Sequence, residues 1–244
     1  EAIMVTITDA SWAGEKLVID NKTFPRRSQY GRFNCLGHPD LWDGMQASVH
    51  IISWKSGLIR KQCRSTFRAE TQAQVAGTET GVWLRAVMAS LVDMFERKNW
   101  ETKTARFMKH VWFTDCQSLR DYLVNPVASG CEDKRLEIDL EGLREYLWMD
   151  DKDGKSVPRD SLDENPTDRV RWIDTSAMVC DSLTKDGHER IYDRMIEMLN
   201  TGVLRLNATP ESELQKLRQQ KQRKDSKMLK KKDKDADADG NLVA

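Results

Sequence analysis

Four carboxylates stand where a chain can build a hydrolytic site. Asp9 directly follows a predicted first strand, and Asp115 directly follows Val111-Trp112-Phe113-Thr114. Glu70 lies near the start of a long predicted helix, and Asp181 lies in the last predicted helix, beyond the last strand. Strand ends in a mixed sheet are common ligand sites. Carboxylates gathered there repel one another unless a cation compensates. Hard oxygen ligands that leave coordination positions open suit Mg²⁺. Singly, each residue has an ordinary reading. An Asp after a strand is usually a turn or cap residue, and a Glu in a first helical turn complements the dipole. Asp181, like Asp174, would be a surface charge. The four matter only if the fold brings them together.

The elements that must position them can be read from periodicity. Ile3 to Thr8 alternates, with Ile3, Val5 and Ile7 on one face. Gln29 to Leu36 reads as a second strand, the turn formers of 37–46 as a loop, and Ser48 to Trp54 as a third strand. Ser65 or Thr66 caps a helix from Phe67 to Phe95, with Ala69, Ala73, Ala76, Val82, Ala86 and Leu91 on its apolar side. Val111 to Phe113 is a short strand. Ser118 to Leu123 is a short helix closed by Asn125-Pro126, and Leu136 to Trp148 an amphipathic helix. Residues 150–167 form a charged loop, Arg169 to Ile173 a strand, and Thr175 or Ser176 caps a helix through Thr184. The order β-β-β-α-β-α-α-β-α predicts a meander followed by helical crossovers, which gives a mixed sheet with helices packed on it.

Five words along this frame resemble the ribonuclease H domain of copia-type retrotransposon polyproteins. They are Thr8-Asp9-Ala10-Ser11-Trp12-Ala13-Gly14, Ile52-Ser53-Trp54-Lys55-Ser56, Ser65-Thr66-Phe67-Arg68-Ala69-Glu70 continued by Val82-Trp83-Leu84-Arg85, Thr114-Asp115-Cys116-Gln117-Ser118 with Asn125-Pro126, and Asp181-Ser182-Leu183-Thr184-Lys185. The resemblance covers roughly residues 5–186. The chain departs at Cys116, where the family usually has Asn, at Lys134-Arg135, where it often has Lys-His, and in residues 150–167, which look inserted. The resemblance implies an α/β, ribonuclease H-like mixed five-stranded sheet. It also implies a metal-binding catalytic set of Asp9, Glu70, Asp115 and Asp181, with Asp9 bridging two Mg²⁺ ions that Mn²⁺ can replace. The implied reaction is two-metal hydrolysis of the RNA strand of RNA–DNA hybrids, beside an upstream reverse transcriptase domain. Gln117, Ser118 and Glu70 are the candidates for reading the ribose 2′-hydroxyl that separates RNA from DNA.

The 244 residues carry 39 basic and 39 acidic side chains, so only the distribution of charge can mark a polyanion site. Lys55, Arg60, Lys61 and Arg64, between the third strand and the long helix, are candidate phosphate contacts. Trp12 beside Asp9 is a candidate stacking residue. Trp54, Trp83, Trp112, Trp148 and Trp172 read as core. The tail from Glu211, with Lys216 to Lys232 followed by an Asp-Ala repeat, has too little apolar surface to fold alone. We therefore expect a ribonuclease H-like domain over 1–205 and a basic, low-complexity tail, disordered or helical, over 206–244. The five scattered cysteines fit a reducing compartment, the cytoplasm or nucleus, rather than secretion. No apolar run reaches the roughly 20 residues of a membrane span. The start at Glu1 without a signal-peptide core reads as a segment of a longer or processed chain.

Three other readings are weighed against this one. The first is a catalytically degenerate, nucleic-acid-binding module of a decayed polyprotein. The second is a recombinase of related fold, which would lack an acid on the first helix, where Glu70 stands. The third is a proofreading exonuclease, which would prefer an acid two residues after Asp9, where Ser11 stands. None of His38, His50, His110 and His188 falls near the carboxylates in sequence, so catalysis is expected to rest on carboxylates and metal alone.

Overall fold

The computed structural model describes residues 1–15, 18–19, 22–23, 27–127, 130–150, 156–158, 168–185 and 190–207. Most of the charged stretch at 150–167 and all of the basic tail from Glu211 lie outside the described residues. Strand β1 runs Ile3–Glu15 and is followed by the hairpin β2 (Val18–Ile19) and β3 (Lys22–Thr23). Next come β4 (Arg27–Gly37), a 3-10 turn over Pro39–Asp43, and β5 (Ala47–Leu58). Helices α1 (Thr66–Leu91) and α2 (Trp100–Phe107) lead to β6 (His110–Thr114), α3 (Gln117–Val124) and α4 (Lys134–Leu147). The chain continues through β7 (Trp148–Asp150), β8 (Ser156–Pro158), β9 (Asp168–Trp172), α5 (Asp181–Thr184), α6 (Arg190–Thr201) and β10 (Val203–Leu204).

The main sheet has the order β10-β5-β4-β1-β6-β9. β1, β4 and β5 form an antiparallel meander, while β6 and β9 add in parallel to β1 through helical crossovers. This is the mixed α/β sheet, a meander extended by helical crossovers, expected from the sequence. The five expected strands are joined by a sixth of two residues, β10, paired with the start of β5. Helices α1, α3 and α4 cover one face. There Trp112 and Val170 pack with Leu119, Leu123, Leu136, Leu140 and Leu143. The other face buries Ile3, Val5, Ile7, Phe33, Val111 and Phe113 against the 3-10 turn, Met178, Val179 and Met198.

Several boundaries differ from the sequence-based expectation. β1 does not stop at Thr8: Asp9, Ala10 and Ser11 stay paired with Gly31, Tyr30 and Gln29 of β4. Asp9 is therefore inside a strand rather than in a turn after it. The helix expected from Thr175 through Thr184 is broken. Asp174 Oδ1 accepts from the Ser176 N–H at 2.8 Å and closes a single 3-10 turn over Thr175–Ala177. Met178, Val179 and Cys180 are then buried in succession, which no one-striped surface helix allows. α1 ends at Leu91 rather than Phe95, with Asp93 at a φ of 60° just beyond. Helices α2 and α6 were not anticipated, and the charged stretch begins with a small β7–β8 sheet. Of the tryptophans expected in the core, Trp112 is fully buried, but Trp54, Trp83 and Trp172 are exposed. Trp54 lies beyond the part of β5 that β10 pairs with, and Trp83 lies on the outer side of α1.

α1 is the element that fixes the site. Ser65 Oγ caps it by accepting from the Arg68 N–H at 3.2 Å. Buried residues then recur every fourth position, at Ala69, Ala73, Gly77, Gly81, Arg85 and Ala89. The small ones let the helix lie close on β1: a Cβ at Gly77 would come within 2.4 Å of the Thr8 side chain, and one at Gly81 within 2.5 Å of His110. Arg85, in the same stripe, pairs with Asp168 at the start of β9 at 3.1 Å, and both side chains are 1% exposed. Asp168 also accepts from Trp112 Nε1 at 3.2 Å and sits 2.9 Å from His110 Nδ1. Trp112 Nε1 also lies 3.0 Å from this Nδ1, but the carboxylate at 2.9 Å is the stronger partner and places the ring proton there, leaving the indole N–H to Asp168. Nε2 is left to accept from the Thr6 hydroxyl at 2.7 Å, whose oxygen accepts from Asn34 Nδ2 at 2.7 Å. This network ties α1 to β1, β4, β6 and β9.

Candidate metal centre and nucleic-acid surface

Three of the four predicted carboxylates converge. The parallel pairing of β1 and β6 runs to Ile7 opposite Phe113, and Asp9 and Asp115 each follow two residues on. Asp9 is still within β1 and keeps the side of Ile7, whereas Asp115 stands just past the end of β6, where the strand period no longer fixes its direction. Glu70, one turn into α1, reaches the same point from above the sheet. Oxygen atoms of Asp9, Glu70 and Asp115 lie within 4.8 Å of one another. Asp9 and Glu70 are buried, at 1% and 5% exposure.

The electrostatics are those of an acid cluster that the one nearby cation described, Lys185, only partly neutralises. Burial, then the charges of Asp9 and Asp115, push the Glu70 carboxyl well above its ordinary pKa. The Ala10 backbone N–H partly opposes this, while Glu70 Oε2 is buried without a hydrogen-bond partner. Burial and then Asp9 raise Asp115 as well, against a hydrogen bond from Thr175. An orphaned buried oxygen in a set of three hard oxygen donors is what a small divalent cation would satisfy, and the residues present fit one.

Asp181 is not in the three-carboxylate set. It stands at the first position of α5 and joins the cluster through Lys185, which pairs with Asp181 and lies 4.0 Å from Asp9 Oδ2. Burial and then the Asp9 charge, against Lys185, raise the Asp181 carboxyl to about 7. Thr184 Oγ1 donates to Asp9 Oδ2. Gly31 permits this approach, because a Cβ there would sit 2.6 Å from Leu183 Cβ. Thr184 and Lys185 are site residues that the sequence reading passed over. Both belong to the Asp181–Lys185 word, and a cation inside an acidic word was the available signal.

The predicted nucleic-acid residues fall on two surfaces. Lys55 and Arg60 are exposed and line a cleft of about 390 Å³ with Tyr30, Gly57 and Gln72, on the α1 side of β5. Lys61 and Arg64 are exposed nearby, and Lys61 Nζ lies 3.5 Å from Asp139. Trp12, 48% exposed, donates from Nε1 to the Cys63 carbonyl at 3.1 Å, which anchors it beside this loop. Gln117 and Ser118 are exposed on the first turn of α3, directly after Asp115. Cys116 holds the cap position of α3, its Sγ 3.3 Å from Ser118 Oγ, and burial raises its pKa. His110 opens β6, five residues before Asp115, and serves the buried network instead. His38 caps the 3-10 turn, His50 lies on β5, and His188 is outside the described residues.

No helix among the described residues is long and apolar enough to cross a membrane. No family model matches the sequence, and no curated protein matches it. Among solved structures, the chain is similar to the N-terminal RNase H domain of Rv2228c from Mycobacterium tuberculosis, determined as a fusion with maltose-binding protein. The TM-score is 0.43 at 11% identity, over 82% of this chain and 99% of that one.

Proposed function

We propose that this chain is a divalent-metal-dependent ribonuclease H that hydrolyses the RNA strand of RNA–DNA hybrids in the reverse transcription of a copia-type retroelement. It would act in the cytoplasm or nucleus beside a reverse transcriptase domain of the same polyprotein. The observation that carries the reading is the meeting of Asp9, Glu70 and Asp115 from three separate elements, with Glu70 Oε2 buried and unpartnered. Asp9, Glu70 and Asp115, with Asp181 beside them, would hold Mg²⁺ or Mn²⁺, which when bound lowers the pKa of water and stabilises charge on the leaving 3′-oxygen. Thr184 orients Asp9, and Lys185 screens Asp9 from Asp181. Gln117 and Ser118, exposed next to Asp115, offer hydrogen bonds to the ribose 2′-hydroxyl. Lys55, Arg60, Lys61 and Arg64, with Trp12, would hold the hybrid's backbone on the other side of the cluster.

The test is cleavage of a labelled hybrid by the purified chain. Cutting is expected with Mg²⁺ and none with EDTA. Asp115→Asn, which keeps the shape and removes the charge, should lose cleavage but keep hybrid affinity. Undiminished cleavage by a folded Asp115→Asn protein would refute the assignment. Hybrid binding with no metal-dependent cleavage by the wild type would favour the degenerate, binding-only module.

A further inference from the structure

The outer edge of the main sheet carries a basic cleft of which Gln117 alone belongs to the sequence-based set of contacts. β9 is the edge strand beside β6. Gln117 and Arg120 of α3, with Arg169, Val170, Arg171 and Trp172 of β9, line an open cleft of about 460 Å³. Three of these six residues are arginines and none is a carboxylate. Arg169 lies over the Trp42 ring at 4.3 Å, and Arg171 Nε donates to the Trp42 carbonyl at 2.7 Å, so the 3-10 turn holds both in place. Burial, then the charge of Arg169, lower the Arg171 pKa; Asp43 opposes them, and Arg120 adds a smaller push in the same direction. Among the described residues, Asp43 lies 3.7 Å from Arg169 and Asp121 2.9 Å from Arg120; neither is among the cleft residues named, and both are at least half exposed.

The cleft shares a wall with the carboxylate cluster. Trp172 Nε1 donates to the Asp115 carbonyl at 2.9 Å, and Gln117 follows Asp115 by two residues. A planar guanidinium fork matches phosphate oxygens, and three such groups line this one open cleft. We propose that this cleft binds phosphodiester groups of the nucleic acid held at the carboxylate cluster. Arg120, Arg169 and Arg171 then extend the strand's path along α3 to the outer edge of β9. The inference rests on the nucleic-acid reading above and adds a second backbone contact surface to it.

The test is equilibrium binding of the full chain to a fluorescent RNA–DNA hybrid in EDTA, across a potassium chloride series. Arg120→Gln is the primary variant, because its side chain is 44% exposed and the substitution leaves the sheet untouched. Arg120→Glu is the second, and thermal melts check that both are folded. Loss of one phosphate contact lowers the slope of log affinity against log salt by about 0.9, an eightfold smaller salt effect per decade. Arg120→Glu should weaken binding further. Unchanged slope and affinity in both variants would overturn the proposal, even if the wild type cleaves hybrid in Mg²⁺. A slope that depends on Arg120 supports it, even if the wild type does not cleave. Inorganic phosphate is the third arm. If it raises the melting temperature through Arg120 while the hybrid slope stays fixed, the cleft is a small-anion site and the backbone assignment fails.

Discussion

Replacing Asp168 with Asn removes the negative charge from the network under α1. Arg85 is 1% exposed, and Asp168 is its buried counter-ion, with contacts to both carboxylate oxygens at 3.1 and 3.3 Å. The amide would also set its own N–H groups against those of Arg85 or His110. Breaking a buried pair by removing one partner costs about 3–5 kcal/mol, because an uncompensated charge stays behind. A domain stable by about 5–15 kcal/mol loses a large share of its margin. For a chain of this size the melting temperature should fall by roughly 6–20 °C. The pH sign follows from the two pKa values. Burial pushes the Asp168 carboxyl up, but Arg85 and His110 outweigh it and hold the pKa below its ordinary 3.8. The stabilisation is therefore present above that value and lost as pH falls through the lower folded one. Urea unfolding at pH 7, followed by tryptophan fluorescence, measures the loss. A cycle with Arg85→Met separates the pair from packing, and the double variant should be more stable than the sum of the single losses predicts. A loss under about 1 kcal/mol for Asp168→Asn, or an additive cycle, would refute the claim that this pair anchors α1.

Two further outcomes follow from buried titrations. Burial lowers His110 to about 4 from 6.5, with Asp168 opposing and Arg85 assisting, so only the unfolded chain gains its proton between those values. Stability should decline as pH falls from 6.5 to about 4, with up to about 1.4 kcal/mol per unit from this group. His110→Gln should flatten that limb in urea series at pH 7, 6 and 5, and equal slopes would count against it. Glu70→Gln removes a carboxylate whose pKa is raised by burial and by Asp9 and Asp115, a cost present above the ordinary 4.5. In EDTA at pH 8 the variant should melt above the wild type and respond less to added Mg²⁺. A lower melting point with an intact Mg²⁺ response would contradict the cation-site reading.

Local periodicity made the central strands and α1 legible, and it misled where pairing was supplied from afar. The alternation that marks the first strand stops at Thr8, so Asp9-Ala-Ser-Trp-Ala-Gly-Glu15 read as lying beyond it. They extend β1 because β4 offers them partners as far as Gln29 and again at Arg27. The unforeseen α6 did carry a signal. Ile191, Met195, Met198 and Leu199 recur at helical spacing, and Met195 and Met198 pack on the core. β10 carried none, since two residues have no period.

The carboxylates were legible as words, but their energetics were not. Asp9, Glu70 and Asp115 are recognisable one at a time, whereas their repulsion exists only once β1, α1 and β6 are assembled. Thr184 and Lys185 respond to that repulsion from 175 and 176 residues down the chain from Asp9, one by a hydrogen bond and the other by charge. The compensating pair, Arg85 and Asp168, is separated by 83 residues, and no local pattern links them. Both ends of the balance lie on α1. Glu70 near its start adds to an acid cluster that Lys185 only partly compensates, and Arg85, fifteen residues and about 22 Å along, closes a neutral buried network. The small residues between them seat the helix on β1, so the stability gained at the Arg85 end holds Glu70 against the repulsion of Asp9 and Asp115.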